Sequence, residues 1–156
     1  MSAILRPMRE EDLSCVLAWR NHPDVGRYMF TQHEIPFAEP LRWFKACQSN
    51  PARTLLILEY ETHPLGFVSF NQITPEHIAD WGFYLAPDAP EGSGQLLGNS
   101  ALGFAFKALG LHKVCGQALG FNDRSMRFHL RLGFTLEAEL RDQYFDGQHY
   151  HAVIHF

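Results

Sequence analysis

The sequence predicts an α/β fold: a mixed, mostly antiparallel central sheet of about seven strands with helices on both faces. Three observations predict it. Apolar residues switch repeatedly between the spacing of a helix and that of a strand. The early strands follow one another through a short turn, which makes them antiparallel neighbours. The middle of the chain reads strand, helix, strand, a crossover that sets two strands parallel.

Residues 3–6 read as a first strand. Residues 10–20 read as a helix, with Leu13, Val16, Leu17 and Arg20 on one face, until Pro23 and Gly26 interrupt it. Residues 38–49 form a second helical stretch, stopped at Asn50-Pro51. Residues 53–60 and 66–72 read as a hairpin turned at His63-Pro64-Leu65-Gly66, and residues 79–85 as an aromatic-rich third strand. A loop rich in Pro and Gly, 86–94, feeds a helix that ends near Gly110. A strand over 113–119, a helix over 123–132, and strands over 134–145 and 148–156 follow, the last two joined at Asp146-Gly147.

The 156 residues fit a single domain, 1–156, large enough to bury a core. Hydrophobic residues make up 46% and charged residues 19%, which excludes a disordered chain. A net charge of -4 argues against a nucleic-acid partner, which needs a dense positive face. Cys15, Cys47 and Cys115 are widely spaced and read as reduced thiols. The N-terminus lacks a signal-like apolar run, and no run approaches the ~20 residues that span a bilayer. The expectation is a cytoplasmic protein, monomer or homodimer, without a membrane partner. His149 and His151 share a strand face, but no Cys or carboxylate clearly joins them, so no metal is expected.

The segment that carries chemistry is Gly92-Ser93-Gly94-Gln95, between the strand at 79–85 and the next helix. Glycines let backbone N–H groups turn inward, and the helix start adds unsatisfied amides and a positive dipole end. Together they can hold a phosphate without a basic side chain. The same pattern also serves as a plain tight connection. It is not a Walker loop, since no Gly-Lys-Ser/Thr follows. A dinucleotide fingerprint is also excluded, because position 97 is Leu97.

Downstream, Asn122-Asp123-Arg124-Ser125 leads through His129 to Leu132-Gly133-Phe134. This run resembles the Asn-x-x-Ser/Ala…Leu-Gly-Phe segment of the GNAT acetyltransferases, and the glycine turn lies upstream of it as in that family. The resemblance covers essentially the whole chain and implies an enzyme, an acetyl-CoA-dependent N-acetyltransferase with no metal. By it, Gly92, Ser93, Gly94 and Gln95 hold the CoA pyrophosphate. Phe83, Tyr84 and Leu85 pair with the pantetheine amides, and Asn122 and Ser125 line the pantetheine and adenosine side. Two positions depart from the family pattern. Ala89 stands where Arg or Gln usually opens the loop. His129 stands where a Tyr often protonates the departing thiolate; an imidazolium can do this, or the thiolate leaves unaided.

Trp19-Arg20-Asn21 followed by Met29 resembles the subgroup of that family acting on UDP-linked amino sugars in pseudaminic acid biosynthesis. That implies acetylation of the 4-amino group of a UDP-4-amino-4,6-dideoxy-sugar, a step toward flagellin or surface-glycan modification. Arg20 would grip the diphosphate, while Trp19, Met29 and Tyr84 would form an apolar wall. In the alternative reading Trp19 is core and Arg20 is paired with a carboxylate. Asp80 is the candidate base, acting through a water placed by Ser69. Rival readings are an N-terminal acetyltransferase of ribosomal proteins or peptides, and a CoA-binding module without catalysis.

Overall fold

The computed structural model describes residues 3–23 and 38–156. The chain divides into two compact units, Met1–Val114 and Cys115–Phe156. The first is built on a five-stranded sheet in the order β1 (Ala3–Pro7), β2 (Arg53–Tyr60), β3 (His63–Thr74), β4 (Ile78–Leu85), β5 (Lys113–Cys115). β1 to β4 pair antiparallel, each with the next.

Pleating sends alternate side chains to opposite faces. Ile57 lies opposite Phe67, and Phe67 opposite Tyr84, so these three share a face. The rings of Phe67 and Tyr84 stack at 5.4 Å. Helix α1 (Leu13–Asn21) covers this face with Leu13, Val16 and Trp19, and helix α2 (Pro40–Gln48) with Phe44. Leu56, Leu58 and Val68 point the other way and are fully buried. There, helix α3 (Ser93–Lys107) brings Leu97 onto Gly66, and its buried Leu97, Ala101 and Ala105 recur every fourth residue. A short 3₁₀ turn, Glu10–Asp12, precedes α1. Its Asp12 is buried, and Arg6 grips it with two bonds of 2.8 and 2.9 Å while reaching Glu59 at 2.8 Å. Burial alone would raise the Asp12 pKa, but the Arg6 bonds and the Arg9 amide outweigh it and hold the carboxyl below its usual range.

The second unit is a three-stranded sheet in the order β6 (Gln117–Leu119), β8 (Tyr150–His155), β7 (Ala138–Phe145), with helix α4 (Asp123–Arg131). Its core gathers Ala118, Ile154 and Phe156, with Met126 and Phe134 packed against them. The α/β class stands, with helices on both faces of the larger sheet. The strands form one sheet of five and one of three, where the sequence suggests about seven in one.

Three boundaries differ from the sequence reading. The first hairpin turns at Glu61-Thr62, not at 63–66. Both residues have positive φ, 50° and 67°, in a mirror-type turn that suits the twist of a hairpin. Pro64 sits inside β3 beside a register shift at Leu58/Glu59, where its missing N–H removes no regular ladder bond. The stretch 113–119 is two strands, because Gly116 leaves the first sheet and exchanges both backbone bonds with Phe156. β7 starts at Ala138 rather than 134. No helix among the described residues is long and apolar enough to cross a membrane.

Candidate active site

In the first unit, the glycine turn is the N-terminus of α3. Gly92 is its N-cap, with φ 88°, a left-handed conformation that side chains resist. The Ser93 amide is used by the Pro90 carbonyl at 3.1 Å, and the first bond along the helix is Leu96 N–H to Gly92 carbonyl, also 3.1 Å. The amides of Gly94 and Gln95 fall in the turn that has no carbonyl behind it. The Ser93 hydroxyl is buried and makes no hydrogen bond among the described residues. The Gln95 side chain reaches Asn99 at 3.3 Å. Ala89 packs at the margin of the core and adds no charge to the loop.

β4 carries Phe83, Tyr84 and Leu85 toward this turn. β5 is three residues long and starts beside His77, whose carbonyl receives the amides of His112 and Lys113. It therefore spans less than half of the eight-residue β4. Phe83 faces the α3 side, tilted against Trp81 at 5.0 Å, and Tyr84 faces the α1 side.

Trp19 belongs to the same buried cluster as Tyr84. Arg20, in the last turn of α1, is 4% exposed, and Asn21 closes the helix on the surface. Met29 lies outside the described residues. Ser69 and Asp80 share the α1 face: Ser69 pairs with Gly82, and Asn71 with Asp80, so the two are diagonal neighbours. Ser69 is buried, whereas Asp80 is partly so. The same register adds residues that sequence reasoning missed. Arg53 lies opposite Asn71, which makes a polar row Arg53, Asn71, Asp80 across three strands. The Arg53 guanidinium rests over the Trp43 ring at 5.9 Å. Only the pairing register reveals such a row.

In the second unit, the Asn122 to Phe134 run resolves into a helix with both ends capped. The Asn122 carboxamide oxygen accepts the Ser125 amide at 3.1 Å, and Ser125 follows in the first turn. At the other end Gly133 turns left-handed, with φ 96°, and Phe134 donates its amide to the His129 carbonyl at 3.0 Å. That bond folds Phe134 back to within 5.0 Å of the His129 ring. His129 is 1% exposed and stacked flat on Phe156 at 4.7 Å. Its Nδ1–H donates to the Ser125 carbonyl at 2.8 Å. Burial pulls its pKa below the ordinary histidine value, opposed in part by that bond, so the neutral imidazole prevails at neutral pH.

On the hairpin that joins β7 and β8, the Asp146 carboxylate accepts the amides of Gln148 and His149 at 2.7 Å each and meets His151 Nε2 at 2.7 Å. Among the described residues no group of three or more His, Cys, Asp or Glu could hold a metal ion.

Comparison with known proteins identifies the family. The model of the acetyltransferase (GNAT) domain matches residues 3–135, a span that runs through both units. Acetyltransferase PseH of Campylobacter jejuni is 26% identical over 138 residues, 88% of this chain and 86% of its own. Spermidine N(1)-acetyltransferase of Escherichia coli is 25% identical over 155 residues, 97% of this chain and 83% of its own. Among solved structures, spermidine N-acetyltransferase from Vibrio cholerae in complex with CoA and spermine superposes with a TM-score of 0.88 at 22% identity, covering 98% of this chain and 92% of that one. A glycine turn opening α3, a capped α4 and a family match over most of the chain lead to one assignment: the protein belongs to the GNAT acetyltransferases and is an acetyl-CoA-dependent N-acetyltransferase.

Proposed function

We propose that the acceptor is the 4-amino group of a UDP-4-amino-4,6-dideoxy-sugar. The observation that carries this reading is Arg20. It is a guanidinium 4% exposed in the last turn of α1, next to Trp19, which packs in one cluster with Tyr84 of β4. In this reading the Arg20 guanidinium, beside the aromatic side chains of Trp19 and Tyr84, would meet the acceptor's diphosphate. The 26% identity to an acetyltransferase PseH supports the same reading.

Each unit has its part in this reading. The amides of Gly94 and Gln95 bind the pyrophosphate, with the Ser93 hydroxyl below them. The backbone of Phe83, Tyr84 and Leu85 takes the pantetheine amides as an added strand would. Asn122 and Ser125 line the pantetheine. Asp80 takes the acceptor's proton through a water placed by Ser69, and Asn21 borders the acceptor. His129, held neutral, keeps the α4 geometry, and the thiolate departs without help from it.

A polyamine acceptor is the second reading, favoured by the spermidine N(1)-acetyltransferase likeness over 97% of the chain. The deciding experiment offers acetyl-CoA with UDP-4-amino-sugars, spermidine, spermine and ribosomal peptides, and follows thiol release. Release with the UDP-amino-sugar, lost in Arg20→Met, is the expected result. Release with spermidine alone transfers the assignment to the polyamine reading.

A further inference from the structure

We propose that Arg53 selects an acceptor that carries an anionic group, and that the row Arg53, Asn71, Asp80 sets the distance from that group to the reacting amine. The proposal deepens the acceptor reading above and rests on it for the amine at Asp80. Every residue it uses belongs to the first unit.

The strand register builds the row. On the α1 face of the sheet, Ile57, Phe67 and Tyr84 lie side by side, then Leu55, Ser69 and Gly82, then Arg53, Asn71 and Asp80. The first of these rows is buried beneath the helices. In the second, Ser69 is buried and small, and Gly82 is half-buried and has no side chain. All three members of the last row are half-buried. The face thus passes in two steps of about 7 Å each from a packed aromatic floor to a polar row. Strand spacing puts the Cα atoms of Arg53 and Asp80 about 10 Å apart, with Asn71 between them as a neutral spacer.

Arg53 is held in place, but its donors are not used up. Its guanidinium lies over the Trp43 ring at 5.9 Å, and Trp43 packs against the cluster that contains Trp19 and Tyr84. A guanidinium resting on an aromatic face keeps its edge N–H groups available for an oxyanion. Among the described residues the Arg53 side chain makes no hydrogen bond or ion pair, and its Nε–H is shielded from solvent without an acceptor. Arg6 is the contrast: Asp12 and Glu59 occupy its guanidinium. The Asn71 carboxamide makes no hydrogen bond among the described residues either. A shielded donor without a partner costs free energy that a ligand oxygen recovers. Phosphate and carboxylate meet a guanidinium through two parallel bonds, the strongest contact of this kind. A row that is positive, neutral and negative in turn therefore matches an acceptor with an anion at one end and an amine at the other. In the nucleotide-sugar reading that anion is the diphosphate.

The test compares two acceptors with the same amine: a UDP-4-amino-4,6-dideoxy-sugar and the corresponding methyl glycoside, which lacks the diphosphate. Kinetics with each are measured in the parent, Arg53→Met and Arg53→Lys. Methionine keeps an apolar stem against Trp43, and circular dichroism checks that the variant is folded. Arg53→Met should raise the KM for the UDP-sugar about tenfold to a hundredfold and leave the methyl glycoside within about twofold. The KM for acetyl-CoA should stay within about twofold in both variants. Arg53→Lys, which keeps the charge but loses the fork, should recover part of the loss and carries the comparison if Arg53→Met does not fold. Calorimetric titration of UDP into the CoA-loaded protein reads the same contact without turnover, and binding should weaken about tenfold or more in Arg53→Met. Equal effects on the two acceptors, or none on either, overturn the proposal. So does a CoA-loaded parent that binds no UDP, or UDP binding that Arg53→Met leaves unchanged. If spermidine alone is acetylated, the nucleotide-sugar reading fails. UDP binding lost in Arg53→Met then still supports the anion subsite, and UDP binding kept in that variant sinks it.

Discussion

The central strands of the first sheet bury far more of their residues than β7 of the second. In β2 and β3 the run from Leu56 to Leu58 and the run from Leu65 to Phe70 are buried, because helices cover both faces. In β7 no residue is buried, and Phe145 and Tyr150 lie 4.8 Å apart on the surface. Polar groups differ in the same sense. The first unit buries Asp12, Arg20, Ser69 and Ser93, whereas the second buries His129 alone among the described residues and wraps it in aromatic rings. The lesson is that the first unit's strands are specified by burial, while the second's hairpin is specified by turn chemistry, with Asp146 closing it through three bonds.

The largest test of that contrast compares two phenylalanines. Phe67→Ala, in the fully buried layer, should cost ~3–5 kcal/mol of unfolding free energy. Phe145→Ala, half exposed, should change it by no more than about 0.5 kcal/mol. Urea denaturation of both variants reads this directly, and equal losses would break the comparison.

Next in size is the phosphate turn. Gly94→Val crowds the amides proposed to meet the pyrophosphate, so the KM for acetyl-CoA should rise about tenfold, the equivalent of one or two lost hydrogen bonds. Ala89→Ser should leave it within about twofold. Steady-state kinetics with acetyl-CoA as the varied substrate separates the two, and matching values would make the turn a mere connection.

The smallest effect belongs to His129. Its folded pKa lies below the unfolded value of 6.5, so the unfolded state binds more protons. Stability from this residue is therefore complete above that pH and declines as pH falls toward the folded pKa. His129→Phe should lose ~1 kcal/mol at pH 8 with its carbonyl bond, and should close part of that gap at pH 5. Guanidinium titrations at the two pH values check the sign. A stability difference that grows at pH 5 would contradict a neutral buried ring.

Much of this was legible beforehand, where local chemistry decides. The glycine turn ahead of α3 and the Asp146-Gly147 hairpin are set by residues adjacent in sequence. The Leu132-Gly133-Phe134 ending of α4 belongs with them, since only glycine adopts the left-handed turn at low cost there. What escaped depends on partners far along the chain. Glu61-Thr62 makes a turn with none of the usual turn residues, because β2 and β3 are already committed by their apolar faces. Gly116 divides an apolar run because Phe156, forty residues on, takes its backbone bonds. The row Arg53, Asn71, Asp80 exists only in the register, and the pair Asp146–His151 only once the hairpin is closed.

Gly66 has one further consequence. A Cβ there would come within 3.2 Å of the Tyr84 carbonyl oxygen and 3.3 Å of a Leu97 methyl. The bare backbone at this point acts as a gauge block: it sets how close α3 rests on the sheet. Leu97 is less than one turn beyond Gly94, so the height of the helix at Gly66 is also the height at which its first amides are held out. A residue with no side chain thereby tunes the reach of the amides proposed to hold the phosphates.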